Sequence, residues 1–187
     1  WWDGGSSLYV YVDGEGERIA ADDVTDFIQR SSSDYPYTSD YGYYSGYGVR
    51  TEVYVTDDND VYLIFINTYL AVAQEAYDED DGTLEVTYYN ALNEPDDDHD
   101  ITLEDDDFDI EGYVEGDYLL LTFDGGDVAT VEAADVISGE ITGYTEGTSI
   151  TVDGTRYYFA SNFDDGEFED SDFAIDSEIT LALDSYG

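Results

Sequence analysis

The sequence predicts a mainly β fold, built as antiparallel β-sandwich or barrel modules with one short helix. Three observations predict it. Residues 8–12 are β-rich, 49–56 alternates around Val53 and Val55, and 83–89 reads as a further strand. The run 61–73 is too rich in β-branched and aromatic residues for a surface helix. Acidic turns separate the runs, and Asp153-Gly154 is a strong two-residue signal for a type I′ hairpin.

Composition narrows the function. The chain has 187 residues and 20.9 kDa, enough for one large domain or two small ones with a real core. Asp and Glu number 48 against 4 Lys plus Arg, a formal charge of -44. Such a surface repels phosphate backbones and anionic lipid headgroups, so nucleic acid is excluded as a partner and a polybasic membrane anchor is absent. No apolar run is long enough to insert into a bilayer as a helix. Without Cys there is neither a disulfide framework nor a thiolate metal site. The chain is nevertheless not composed like a disordered one: 42% of residues are hydrophobic and 16% aromatic, including 20 Tyr and 8 Phe. A folded chain of this charge must overcome self-repulsion, which salt, divalent cations or assembly-linked counter-ions relieve. Lys is absent where about a dozen would be ordinary, so the surface supplies almost no counter-charge of its own.

The elements follow in order. The chain opens Trp1-Trp2-Asp3 with no Met or signal peptide, as expected of an export signal already removed or of a piece of a longer chain. Residues 8–12 and 17–20 flank an acidic turn at 13–16 and read as a hairpin. Residues 22–30 read as the short helix, with Asp22 or Asp23 as N-cap and Arg30 near its C-terminal end. Residues 31–48 hold six Tyr among Gly, Ser and Asp without a period, a loop long enough to suggest function or disorder. Strands follow at 49–56, 61–73 (bent near Asn67-Thr68), 83–89, 101–103, 118–123, 128–132, 136–144, 149–152, 156–160 and 179–183. Acidic loops lie at 93–100, 105–109 and 163–173. A weak echo, in which an alternating strand runs into an acidic turn, recurs at 9–16, 54–60, 119–127 and 179–187. In the last copy no strand follows, so Ile179–Leu183 is expected to lack its hairpin partner. The expected domains are 1–112, a β-rich module with the helix and the Tyr-rich loop, and 113–187, a small barrel-like module.

From about Gly48 onward several segments form a recognisable set: residues 49–55, 64–71, 115–120, 141–145 and 150–155, the last reading Ile-Thr-Val-Asp-Gly-Thr. Together they resemble the β-rich repeat modules of large secreted, S-layer-homology-domain-containing cell-surface proteins of Gram-positive bacteria. The resemblance covers about three quarters of the chain. Related modules carry Lys at many exposed positions, and this chain carries none. The resemblance implies a structural surface role and an extracellular or cell-surface location, and offers no catalytic residues to carry over.

Candidate sites are weighed by chemistry. Among 48 carboxylates some pair always falls at glycosidase spacing, so such a pair carries no information. His99 lies in an acidic loop, and no nucleophile elbow, phosphate loop or dinucleotide fingerprint is present. No catalytic residue is assigned, and the chain is expected not to be an enzyme. Calcium is the candidate cofactor, since hard cations take six to eight oxygens and acidic turns supply them. Its candidate ligands are Asp57, Asp58, Asp60, Asp78, Asp80, Asp96, Asp98, Asp105 and Asp107; none of these turns matches an EF-hand loop. Aromatic and apolar residues near a terminus, a loop and the final strand form the candidate assembly surface: Trp1, Trp2, Tyr9, Tyr11, Tyr41, Tyr43, Tyr44, Leu181 and Leu183.

The expected function is that of a non-enzymatic extracellular structural protein, a subunit or repeat of a surface layer or filament. Its expected partners are copies of itself, joined by inter-subunit β-strand contacts, together with divalent cations. The alternative is a carbohydrate-binding or adhesive module of a larger cell-surface protein, with glycans as partners of the Tyr-rich loop.

Overall fold

A computed structural model describes residues 7–19, 47–89, 99–160 and 173–186. The chain is mainly β, and its strands form three sheets. Among the described residues there is no helix; the helix expected over 22–30 lies outside them, as does most of the Tyr-rich loop.

The first sheet contains β1 (Leu8–Val12), β2 (Glu15–Ile19), β3 (Val49–Val55) and β4 (Val61–Asn67) in the order β2-β1-β4-β3. The expected first hairpin forms. Its turn is the dipeptide Asp13-Gly14, with φ of 50° and 80°, so Val12 pairs with Glu15 and the strand resumes two residues earlier than the sequence suggests. The sheet departs from antiparallel order once, where β1 runs parallel to β4 from Leu8↔Val61 to Val12↔Phe65. A parallel pair requires a long connection, here the chain from β2 through β3. Leu8, Val10 and Phe65 form its buried core.

The apolar run 61–73 was expected as one bent strand. It is two strands in two sheets: β4 ends at Asn67, and β5 (Tyr69–Ala73) begins the second sheet after the single residue Thr68. That sheet adds β6 (Thr83–Tyr88), β7 (His99–Glu104), β8 (Tyr118–Asp124) and β9 (Asp127–Ala133), in the order β7-β6-β5-β8-β9. Alternation sends Tyr69, Ala71, Leu84, Val86, Leu119 and Leu121 to one face, where they form the largest core. The expected division after Gly112 falls inside this sheet, because β8 pairs with β5 from Tyr69↔Leu121 to Val72↔Tyr118.

The third sheet contains β10 (Asp135–Thr145), β11 (Ser149–Val152), β12 (Thr155–Tyr158) and β13 (Glu178–Leu183), in the order β12-β11-β10-β13. The type I′ signal holds: Asp153 and Gly154 both have positive φ, and Val152 pairs with Thr155. Strand β10 pairs with β13 along its first half and with β11 along its second, across a register shift near Ile141. Ile141, Ile150, Val152 and Phe173 form the sheet's buried core. The sheet corrects the expectation for the final strand, which pairs with β10 from Asp135↔Leu183 to Glu140↔Glu178. The partner lies some forty residues back in the chain, so no local hairpin signal announces it.

One turn joins the first two sheets. The Asp13 N–H donates to the Phe65 carbonyl (2.9 Å), and the Asp13 carbonyl accepts from Gly125 N–H (2.8 Å) in the β8–β9 turn. Its carboxylate accepts from Asn67 N–H (2.8 Å), Asn67 Nδ2 (2.9 Å) and the Tyr69 hydroxyl (2.7 Å). Asn67 and Tyr69 are buried, so these bonds fix the corner where the chain changes sheets.

Candidate assembly surface

Open sheets leave edges. Among the described residues β2, β3, β7, β9, β12 and β13 each have a strand neighbour on one side. Such edges present unpaired backbone groups, and charged side chains guard most of them. Here Arg50 and Glu52 lie on β3, Asp100 and Glu104 on β7, Asp127 and Glu132 on β9, and Arg156 on β12. Strand β13 differs: after Glu178 it reads Ile-Thr-Leu-Ala-Leu, free of charge over 179–183 in a chain where about one residue in four is acidic.

The direction of the β13 backbone follows from one hydrogen bond. Ile141 N–H donates to the Ser177 carbonyl (2.8 Å), and bonded pairs alternate along an antiparallel ladder. In the register of β10 with β13, Ile179, Leu181 and Leu183 therefore bond to β10, and the N–H and C=O groups of Thr180 and Ala182 point away from it. Beside this strand lies a cleft of about 590 Å³, within the range of ligand-sized pockets. Leu70, Tyr118 and Leu120, from the outer face of the second sheet, line one side; Ile179, Leu181 and Leu183 line the other. Asp184, at the end of β13, contributes an ionisable carboxylate to the lining.

Strand β3 is a second edge with exposed apolar side chains. Val53, Tyr54 and Val55 are 58%, 54% and 64% exposed. Thr56 N–H donates to the Asp60 carbonyl (2.9 Å), so by the same alternation Tyr54 and Glu52 bond to β4. The backbone groups of Thr51, Val53 and Val55 point outward. The Glu52 carboxylate accepts from the Tyr54 hydroxyl (2.7 Å), and this raises the phenol above its ordinary range. The uncharged run 53–56 was the sequence signal for this edge, and sequence reasoning did not select it.

The expected surface residues divide. Leu181 and Leu183 lie on β13, an edge strand among the described residues, with Leu181 packed toward the third sheet's core. Tyr9 and Tyr11 do not lie on an edge, because β1 sits between β2 and β4. Their rings stack with Tyr62, with centroids 4.6 Å and 6.4 Å away and interplanar angles of 9° and 15°. Trp1, Trp2, Tyr41, Tyr43 and Tyr44 lie outside the described residues.

The expected calcium ligands among the described residues are not brought together. Asp57 and Asp58 are exposed in the β3–β4 turn, and Asp60 accepts from Ser7 N–H (2.7 Å). The Asp78 carboxylate accepts from the N–H groups of Asp80 (2.8 Å) and Asp81 (3.3 Å) in its own turn. Asp105 accepts from the Tyr77 hydroxyl (2.5 Å), and that bond, with burial second, pushes the phenol up to about 12. Asp80 and Asp107 are exposed, and Asp96 and Asp98 lie outside the described residues. Among the described residues no three His, Cys, Asp or Glu converge on one point. Among them, too, no helix is long and apolar enough to cross a membrane.

No protein-family model matches the chain, and no curated protein is significantly similar to it.

Proposed function

We propose that the chain is a non-enzymatic structural subunit of an extracellular surface layer or filament, joined to its copies by β-strand addition. The observation that carries this reading is the edge of β13, open among the described residues, uncharged over 179–183 and bordered by an apolar cleft. Strand addition supplies main-chain hydrogen bonds, and the apolar side chains alongside supply burial. The charge of -44 opposes contact almost everywhere else, so copies meet where carboxylates are sparse. Divalent cations enter as counter-ions that screen or bridge the acidic turns. The resemblance to surface-protein modules agrees with this role.

Electron microscopy of the purified chain tests the proposal, with calcium and with chelator. Regular filaments or sheets are the expected result. Discrete monomers in both conditions would overturn it.

A further inference from the structure

We infer that the strand added to β13 is β3 of a second copy, running parallel to it with Val53 opposite Leu181. This rests on the reading of the chain as a self-assembling subunit and specifies its contact.

Backbone direction selects the pairing. In a parallel pair, a residue whose N–H and C=O face the neighbour stands opposite a residue whose groups face away, and bonds to the two residues flanking it. Val53 faces outward from β3, and Leu181 faces inward toward β10. Val53 then bonds to Thr180 and Ala182, whose groups point away from β10. The same register sets Thr51 opposite Ile179 and Val55 opposite Leu183, so apolar side chains align on one face. On the other face Arg50 stands opposite Glu178, and Tyr54 opposite Ala182. Arg50 is one of four cationic side chains in the whole chain. Its side chain is 61% exposed while it pairs with Glu52 at 3.2 Å, so it can reach a second carboxylate.

Competing registers fail on the same residues. A two-residue slip one way sets Glu52 against Glu178; the other way sets Arg50 against Thr180 and moves Val55 beyond the strand. An antiparallel pair must match outward residues with outward residues, which sets Val53 against Glu178, Thr180, Ala182 or Asp184. These place Glu52 opposite Ile179, Leu181, Leu183 or Ser185, and none pairs Arg50 with Glu178 or Asp184. Because β3 and β13 are different surfaces, the contact is head-to-tail, and it builds an open filament where the rotation between copies does not close.

Charge reversal tests the contact. Arg50→Glu and Glu178→Arg should each reduce polymer at least tenfold at low salt, with unchanged circular dichroism. The double variant should restore it. Mixing the two single variants should also restore it, because each then meets its complement at both ends. A second test exploits the lack of Cys. Tyr54→Cys mixed with Ala182→Cys should give disulfide-linked pairs on oxidation. Polymers that form equally well from Arg50→Glu, or that cross-link only Tyr54→Cys to itself, would overturn the β3–β13 contact and leave the subunit reading standing. A wild-type chain that never polymerises would overturn both.

Discussion

The Tyr69 hydroxyl donates to the Asp13 carboxylate at 2.7 Å, linking a hairpin turn in one sheet to the first strand of the next. Asn67 joins the same carboxylate through its backbone and side-chain nitrogens. Asp13→Ala would strand these buried donors, at a cost on the order of 3 kcal/mol. Denaturant unfolding of Asp13→Ala against Tyr69→Phe checks this, with the aspartate variant expected to be the less stable.

Alkaline pH attacks the same bond. Burial raises the Tyr69 phenol far above its ordinary value near 10, with the Asp13 charge and hydrogen bond adding to the effect. Tyr77, hydrogen-bonded to Asp105, is raised to about 12. Above pH 10 the unfolded chain releases protons that the folded chain still holds, so the unfolded state binds fewer and stability falls as pH rises. The stabilisation is complete below pH 10 and declines from there upward. Melting temperatures between pH 8 and 12 should fall in this window, and Tyr69→Phe should flatten the decline.

Gly14 carries a sharper prediction. It has φ of 80°, and a Cβ there would lie 2.3 Å from the Gly125 backbone nitrogen. Gly14→Ala therefore combines left-handed strain with a clash against backbone in the β8–β9 turn. A loss above about 2 kcal/mol is expected, measurable by thermal unfolding. Gly154→Ala, where the turn is open to solvent, should cost less.

These residues show where the sequence was legible. Asp153-Gly154 announced its hairpin because two left-handed residues suffice to define a type I′ turn. The acidic turn after Val12 was equally visible as a turn. The use of its Asp13 side chain was not, because Asn67 and Tyr69 lie more than fifty residues away. The parallel pairing of β1 with β4 and the partnering of β13 by β10 were hidden for the same reason: strand order is set by long-range packing, which alternation does not encode. The apolar run 61–73 gave no sign of two sheets, because both of its halves are buried. Of the candidate surface, Leu181 and Leu183 were chosen because the final strand was expected to lack a partner; β10 pairs with it, and the two residues lie on a strand at the sheet's edge. The β3 edge emerged only when the exposure of Val53 and Val55 was known.

Net charge sets a further expectation. With -44 on 187 residues, repulsion within the folded chain is large at low ionic strength. Raising sodium chloride from about 10 mM to about 150 mM shortens the screening length from about 30 Å to about 8 Å. The melting temperature should rise by several degrees across that range, as differential scanning calorimetry would record. A flat response would show that self-repulsion contributes little to folding.

The central claim is that copies add to the open edge of β13, and Ala182→Pro tests it most directly. Its backbone N–H points away from β10, so proline there removes a donor to an added strand and keeps the ladder with β10. Sedimentation velocity of wild type and Ala182→Pro, at matched concentration and salt, should show large species for wild type and folded monomer for the variant. Large species of unchanged size from a folded Ala182→Pro chain would contradict the account.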